Sequence, residues 1–505
     1  MSEEKFQDSL KADIAYVEEA HDGTTGRAIR PAREFAAAEE DRLYRKMDWR
    51  MLPTLAVLYL MSFMDRGNIG NARLAGLEAD LGMGASEYAV CLSVFFITYC
   101  LFEVPSNLML QKFRPTLWIV AITFAWGTVM TLMGVVQNYG GLVATRLILG
   151  AAEAGLFPGV VLLLTFFYPR DRMQTRIALF FSAATIAGAF SGLLAYGIGF
   201  MDGVAGYSGW RWIFILEGIL TVVVGAVSYF TLVDRPQTAK WLTDDERAWV
   251  IYRKATETSS SGVGENSHIS WRLVKEAFSD FQCYCGIVFY LSILVPLYGV
   301  GLFMPSLILS FGKFSRPHTQ LLTIPVYAVA CCYVIGTSIW ADRRKTRFPF
   351  LVAAQLLCCI GFGINLTPAP YPVKFVGLIF CACGAYGGVP TMVSWLTGNL
   401  AGETKRAVGS GLTLGIASLG GIISSNIYRK PDAPRYFLGH GVELGVSVLG
   451  LCASCLYAFL LNRANKAKLA EQLRQSQLPE SERTVYTARE LQEMGDKSPE
   501  FMYRI

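Results

Sequence analysis

The sequence predicts an all-α membrane protein with twelve transmembrane helices in two six-helix bundles and with both termini in the cytoplasm. Three observations lead to this fold class: the composition, the number of long apolar runs and a repeated loop pattern. Apolar residues (AVILMFWYC) make up 53% of the 505 residues and charged residues only 17%, against about 25% charged in soluble domains. The net charge of +5 comes from scattered basic residues, which does not indicate nucleic-acid binding.

Twelve apolar runs are long enough to cross a bilayer. A hydrocarbon core about 30 Å thick needs about 20 predominantly apolar residues in a helix. The third and twelfth runs are nearly free of charge, whereas Asp65 and Arg66 shorten the first and Pro390 shortens the tenth. The predicted spans are 51–72, 88–110, 116–137, 141–167, 177–200, 210–233, 283–311, 319–340, 348–366, 373–396, 407–427 and 440–461.

The distribution of Lys and Arg in the short loops predicts the orientation of these spans. With the N-terminus in the cytoplasm, the inner segments contain fifteen basic residues and the outer loops contain seven. Because cytoplasmic loops are enriched in Lys and Arg, both termini are predicted to be cytoplasmic.

The spans form two halves of similar length with matching loops. A basic inner turn occurs at corresponding places, Lys112 and Lys345, and a second pair of turns contains Arg170 and Lys405. Two matched bundles in parallel orientation are an architecture of secondary transporters, and the sequence has no phosphate-binding loop that would indicate an ATP-driven pump. The predicted divisions are an N-terminal cytoplasmic tail (1–50), a first bundle (51–233), a cytoplasmic central loop (234–282), a second bundle (283–461) and a C-terminal cytoplasmic tail (462–505).

Three polar segments outside the spans have distinct patterns. Residues 242–254 of the central loop are predicted to be helical, and residues 256–267, rich in Ser, Gly and Thr, are predicted to form a flexible linker. In the C-terminal tail, residues 466–475 are predicted to form a solvated helix.

Ionisable residues inside the apolar spans are the first candidates for a functional site, because a charge at mid-bilayer costs about 2.5–3.5 kcal/mol on insertion scales. The C-terminal half is expected to offer only neutral polar groups at depth, of which Trp395 and Asn399 are candidates for substrate binding. The N-terminal half is expected to supply the charges: Arg66, Glu103, Arg146, Glu153 and Glu217, with Asp65 beside Arg66.

Two of these residues are predicted to lie at nearly the same depth. At a rise of 1.5 Å per residue, Arg66 lies about 22 Å above the inner end of its span, and Arg146 lies about 8 Å below the outer end of the fourth span. If both helices face one cavity, the two guanidinium groups can bind one anion, since the planar guanidinium suits a carboxylate.

Glu153 and Glu103 are candidates for proton coupling. Glu153 lies two helical turns beyond Arg146, close to the midplane, where burial favours a protonated carboxyl group. Glu103 lies nearer the inner end of its span, where a structural or gating role is an alternative. For the arginines and Glu153, the alternative is that buried Arg–Glu pairs only hold helices together.

The chain resembles the major facilitator superfamily along its whole length. The inner turn SIWADRRK at 338–345 is similar to the loop motif of that superfamily, although the corresponding turn at 105–114 lacks the acidic residue. The resemblance implies that Asp342 and Arg343 help to close the cytoplasmic side. The pattern of Arg146 followed by Gly150 resembles the superfamily's fourth-helix motif, which implies a role for Arg146 in substrate or proton handling.

A finer resemblance is to the fungal anion:cation symporters, the allantoate and nicotinate permease group. This resemblance implies import of a small carboxylate with protons, and it implies that Arg66 contacts the anion. Five stretches in the same order support it: FMDRGNIGNAR at 63–73, FEVPSN at 102–107, WRWIFILEG at 210–218, WLTDDER at 241–247 and GDKSPEF at 495–501.

The sequence therefore predicts a proton-coupled importer of a small organic anion in a fungal plasma membrane. Its expected partners are the anion, protons and the lipid bilayer; no cofactor, metal, nucleic acid or obligate protein partner is expected, and the chain is not expected to be an enzyme. One alternative is export of an acidic fungal metabolite. A second alternative is a nutrient receptor that signals through its C-terminal tail.

Overall fold

A computed structural model describes residues 35–259, 271–312, 316–401, 403–429, 432–478 and 494–505, together with Tyr486 and Glu490. The regular structure of these residues is helical throughout. Ten helical segments within the described ranges are long and apolar enough to cross a membrane. Large apolar side chains such as Phe230, Leu101 and Phe459 are exposed on the outer faces of the helices, as expected for surfaces that face lipid.

The first half of the chain forms seven long helices for six predicted spans. The fourth predicted span is divided at Gly155. An added Cβ there would collide with the side chain of Ser106, so the glycine allows this span and the helix that contains Ser106 to approach closely. A four-residue helix, Leu77–Asp80, and a 3₁₀ turn, Arg170–Arg172, lie in the loops. The long helices are α1 (Ala37–Leu74), α2 (Ala85–Lys112), α3 (Pro115–Met133), α4 (Tyr139–Glu153), α5 (Leu156–Phe167), α6 (Met173–Gly199) and α7 (Gly209–Thr231).

The central loop and the second half contain the remaining helices. The eleventh predicted span is also divided, at Leu419. Further 3₁₀ turns are Val204–Gly206, Pro236–Thr238 and Gly495–Lys497. The helices are α8 (Asp244–Ser259), α9 (Trp271–Ser279), α10 (Phe281–Phe311), α11 (Arg316–Arg344), α12 (Phe348–Leu366), α13 (Tyr371–Asn399), α14 (Glu403–Ser418), α15 (Gly420–Ile427) and α16 (Phe437–Gln477).

Most of the predicted elements are present with different ends. The ten apolar segments coincide with ten predicted spans, and the first and fifth predicted spans coincide with α1 and α6, which fall outside these ten. The helix predicted at 242–254 is confirmed as α8, which continues to Ser259 and so covers the start of the predicted linker; the rest of that linker, 260–267, lies outside the described residues. The tail helix predicted at 466–475 is confirmed as the end of α16.

The two halves of the chain contact each other through a small set of helices. Helix α6 packs against α11 and α13, and α2 packs against α14 and α15. Two glycines of α14 allow α2 and α14 to pack closely. A Cβ on Gly411 would lie 2.9 Å from Nδ2 of Asn107, and a Cβ on Gly415 would lie 3.1 Å from Oε2 of Glu103. Small residues at helical spacing permit such close packing, and they place the two halves around a central cavity.

Candidate functional site

The central cavity contains one cation, one acid and a predominantly aromatic wall. Its volume is about 20 Å³, which is close to the space that one water molecule needs. Helices of both halves contribute to the wall: α1, α2, α5 and α6 on one side and α10 and α14 on the other. The lining residues are Tyr59, Phe63, Arg66, Tyr99, Glu103, Phe157, Phe181, Tyr290, Leu294, Leu297, Tyr298, Leu414 and Ser418.

Arg66 of α1 joins the two halves at this cavity. Its Nε lies 2.7 Å from Oε1 of Glu153, and its Nη1 donates a hydrogen bond of 3.1 Å to the hydroxyl of Tyr298 in α10. The guanidinium carbon also lies 4.7 Å from the ring centroid of Tyr99, within the range of a cation–π interaction. Arg66, the cation of the first predicted span, therefore lies among an acid, a phenol and aromatic rings.

Glu153, the last residue of α4, is the counter-ion of Arg66. Its side chain is 0% exposed, and its Oε1 also accepts a hydrogen bond from Oγ of Ser62, one turn before Arg66. Its other oxygen, Oε2, has no hydrogen-bond partner among the described residues. The structure thus brings together two of the residues proposed from the sequence, although as an internal ion pair.

Arg146 of α4 is buried but does not line the cavity. Its Nε and Nη1 have no hydrogen-bond partner among the residues that the structure describes. The guanidinium carbons of Arg146 and Arg66 lie 5.5 Å and 5.6 Å from the centroid of the same ring, that of Phe95. The two arginines therefore lie beside the same aromatic ring, and Arg66, unlike Arg146, lines the cavity in this conformation.

Asp65 and Glu217 form a second polar group on another side of α1. Oδ2 of Asp65 accepts hydrogen bonds from Nε1 of Trp126 and from Oγ1 of Thr221, at 3.1 Å and 3.2 Å. Asn68 donates a hydrogen bond of 2.5 Å to Oε2 of Glu217. Both carboxyl groups are buried, so α1 presents Asp65 and Asn68 to α3 and α7 and its cation to the cavity.

Glu103 of α2 lines the cavity without a hydrogen-bond partner. It is 0% exposed, and neither carboxyl oxygen has a partner in the described part of the chain. It faces Gly415 of α14 in the other half. A buried carboxyl group with no donor is costly in its charged form, so this environment favours the protonated acid.

Trp395 and Asn399, predicted to bind substrate, lie elsewhere. Nε1 of Trp395 donates a hydrogen bond of 2.8 Å to the carbonyl oxygen of Arg504. The amide of Asn399 donates to the same carbonyl at 3.0 Å, and its oxygen accepts from the backbone N–H of Arg504 at 2.8 Å. Neither residue lines the cavity. Their polar groups bind the C-terminal segment 494–505 at the C-terminal end of α13.

The C-terminal segment is held by side chains of several helices. Lys405 at the start of α14 is 1% exposed and forms ion pairs with Asp280 and with Asp496 of the segment. The side chain of Phe501 is completely buried, and the backbone of Tyr503 exchanges two hydrogen bonds of 2.8 Å with the amide of Asn465 in α16. The segment therefore belongs to the packed structure, beside the first residues of α10 and α14, the last residues of α13 and Asn465 of α16.

Of the two residues expected to close the cytoplasmic side, Asp342 makes the contacts. Its Oδ2 accepts a hydrogen bond of 2.8 Å from the backbone N–H of Thr175 in α6, and its Oδ1 lies 2.6 Å from Nη2 of Arg347. The backbone N–H of Arg347 in turn donates to the carbonyl oxygen of Ile505. Arg343 is exposed, so the basic partner of Asp342 is Arg347, five residues after Asp342.

Sequence reasoning missed several residues of the second half. Tyr290 and Tyr298 of α10 line the cavity, but an uncharged tyrosine in an apolar span gives no signal of depth or direction. The expectation that the second half has only neutral polar groups at depth is wrong: Glu443 lies in the twelfth predicted span and is 0% exposed. Its acidic character was visible in the sequence; its burial follows from the packing of α16.

A bundle of long apolar helices around a buried ion pair and an aromatic cavity is typical of membrane transporters. Residues 55–425 match the sequence model of the Major Facilitator Superfamily, and the chain belongs to this superfamily. The predicted family is thereby confirmed. The superfamily members that the chain matches are transporters and not enzymes. The chain is a multi-pass membrane protein.

Similar proteins agree in sequence and in fold. The chain is 35% identical over 482 residues to the MFS-type transporter cnsO of Penicillium expansum, covering 93% of this chain and 91% of that protein. It is 31% identical over 464 residues to the high-affinity nicotinic acid transporter of Saccharomyces cerevisiae, covering 92% and 85%. Its fold is similar to that of the proton:xylose symporter XylE, with a TM-score of 0.58 at 15% identity over 82% of this chain and 95% of that chain. The E. coli fucose:proton symporter FucP gives 0.57 at 13% identity over 80% and 98%.

Proposed function

We propose that this chain is a proton-coupled importer of a small planar carboxylate in a fungal plasma membrane. The observation that supports this proposal most directly is Arg66, a cation within an aromatic cavity whose only ion-pair partner in the described structure is Glu153. In the proposed mechanism, the carboxylate of the substrate takes the place of Glu153 at Arg66. Glu153, now without its counter-ion in a buried position, binds a proton.

This exchange links the anion to the proton through charge balance. A buried cation without a partner and a buried anion without a partner are each costly, so the two binding events favour each other. The unpaired Nε and Nη1 of Arg146 provide further donors for an anion once Phe95 moves aside. Glu103 in the cavity wall and Asp65 behind Arg66 are further buried acids that can hold a proton.

The aromatic wall supports a planar substrate. Seven of the lining side chains are Tyr or Phe, and aromatic faces pack well against flat rings. Transport of nicotinic acid by a relative with 31% identity is consistent with an aromatic monocarboxylate. Because the cavity holds about 20 Å³, substrate entry requires side chains of the wall to move.

Transport proceeds by alternating access of the two halves, 51–233 and 283–461, in a twelve-helix arrangement in which α1 and α6 also cross the membrane and both termini are cytoplasmic. Hydrogen bonds between the halves on the inner side support this reading. They join Gln174 to Thr391 at 2.7 Å, Asn107 to the carbonyl oxygen of Ala407 at 3.2 Å, and Thr175 to Asp342. Breaking them is the proposed step that opens the inner side.

Uptake of radiolabelled carboxylates by yeast cells that express the chain tests this function. We expect nicotinate or a similar planar acid to accumulate in acidic medium, and a protonophore to abolish accumulation. Arg66→Ala should abolish uptake. The matched control is Arg73→Ala, since Arg73 lies on the same helix and pairs with Glu78 at a partly exposed position.

Two results would contradict the proposal. Failure of any acid in the panel to accumulate, with the protein shown to be at the cell surface, would overturn import. Undiminished uptake by Arg66→Ala would overturn the role of Arg66 as the anion contact.

A further inference from the structure

Glu443 of α16 is a buried acid that the central cavity does not use. It is 0% exposed, and neither of its carboxyl oxygens has a hydrogen-bond partner among the described residues. No Lys or Arg of the described ranges forms an ion pair with it. It lies six residues after the start of α16, about 9 Å into that helix at 1.5 Å per residue.

A glycine in α10 makes room for this carboxyl group. A Cβ added to Gly299 would collide with Oε1 of Glu443, so the acid packs directly on the backbone of α10. The titratable side chains within electrostatic range of Glu443 include Tyr428 after α15, Cys358 of α12 and Cys381 of α13. None of these is a cation.

A histidine, His440, and a lysine, Lys374, lie beyond these side chains. His440, on the same helix one turn earlier, faces the hydroxyl of Tyr428 through Nδ1 at 3.3 Å, and Lys374 of α13 lies within electrostatic range of His440. A carboxylate that is desolvated and without a donor is far more costly than the neutral acid. Burial in this setting therefore selects the protonated form.

We propose that Glu443 is a proton-binding residue of the second half and that its charge state is coupled to Arg66 through α10. Gly299, on which Glu443 packs, is adjacent to Tyr298, whose hydroxyl accepts a hydrogen bond from Arg66. Pro296 and Pro305 lie within α10 on either side and remove backbone donors from its hydrogen-bond ladder. When Glu443 loses its proton, the new charge must find water or a donor, which displaces α10 at Gly299 and with it Tyr298.

The proton itself can be observed without any substrate. Infrared spectra of the purified full-length chain should contain the C=O stretch of a protonated carboxylic acid at neutral pH, and Glu443→Gln should lose part of that band. Glu471→Gln is the matched control, since Glu471 lies on the same helix with its side chain 48% exposed. A spectrum of Glu443→Gln identical to that of the unmodified chain in this band would overturn the proposal.

The coupling has its own test, which rests on the proposed transport of a carboxylate. With nicotinate as the probe, Glu443→Gln should retain binding and lose part of its pH dependence, because glutamine imitates the protonated acid at every pH. Gly299→Ala should disturb binding through the collision with Glu443, whereas Gly301→Ala should not, since its Cβ would make only an ordinary contact of 3.6 Å with the hydroxyl of Tyr386.

The outcomes separate the two proposals. An unchanged pH profile in Glu443→Gln would overturn the coupling and leave Glu443 as a packing residue. Failure of nicotinate to bind the unmodified chain would count against the proposed function, while the infrared result for Glu443 would still stand or fall by itself.

Discussion

Nε of Arg66 lies 2.7 Å from Oε1 of Glu153, so the buried cation of α1 and the buried acid at the end of α4 neutralise each other. The side chains are 13% and 0% exposed, and neither charge would be stable alone in such a setting. The sequence offered two interpretations of these residues, and the ion pair is compatible with each. It holds two helices together, and its cation is also the group that an incoming carboxylate can bind.

Glu153→Gln should uncouple transport from protons. The substitution removes the acid that is proposed to take a proton and leaves Arg66 with a neutral amide, so substrate should bind while net uptake loses its dependence on the proton gradient. We expect exchange of labelled for unlabelled substrate to continue and accumulation to fail. Exchange and accumulation are measured in the same vesicles with and without a protonophore.

The control for this substitution is Glu78→Gln, because Glu78 also pairs with an arginine, Arg73, but at a partly exposed position. Gradient-driven accumulation that persists in Glu153→Gln at the level of the control would contradict the proposed role of Glu153.

Tyr298→Phe should weaken substrate binding without abolishing transport. The phenol hydroxyl accepts a hydrogen bond from Nη1 of Arg66, and a hydrogen bond to a charged group contributes about 1.5–3 kcal/mol. We expect the KM for uptake to rise about tenfold. Tyr333→Phe serves as the control, since Tyr333 packs against Gly387 and does not line the cavity. Equal effects of the two substitutions would show that Tyr298 does not position Arg66.

Asp342→Ala should loosen the contact between α6 and α11. The backbone N–H of Thr175 loses its carboxylate acceptor, so its hydrogen exchange should accelerate. Mass spectrometry of the full chain in detergent measures exchange in the peptide that contains Thr175. Arg347→Ala should accelerate it less, and Arg343→Ala should leave it unchanged. An effect of Arg343→Ala as large as that of Asp342→Ala would restore Arg343 as the gating partner.

Lys405→Met should lower the thermal stability of the protein. Lys405 lies buried between Asp280 and Asp496, and removing the cation leaves two buried carboxylates unpaired. Loss of one partner of a buried pair costs about 3–5 kcal/mol, so we expect a clear fall in Tm and release of the segment 494–505. Thermal unfolding in detergent tests this, with the exposed Lys466→Met as the control. A Tm equal to that of the control would mean that the ion pairs do not stabilise the docked segment.

Sequence reasoning predicted the membrane class, ten of the apolar spans and the family, because these depend on local hydropathy and on motifs read along the chain. It also singled out Arg66 and Glu153, since an ionisable residue in an apolar span is costly wherever it faces; the structure pairs the two, and their roles in transport stay predictions. It could not predict that Trp395 and Asn399 bind the carbonyl oxygen of Arg504. Those residues and their partner are more than a hundred positions apart, and no local pattern relates them.

By itself, the sequence determined which segments are apolar enough to enter a bilayer and which few charges enter with them. Only the tertiary structure decided the partners of those charges: Tyr298 for Arg66, Arg347 for Asp342, and no described partner for Glu443. The physical reason is that hydropathy is a property of each segment. The direction in which a side chain points depends on the rotation and packing of its helix against helices from distant parts of the chain.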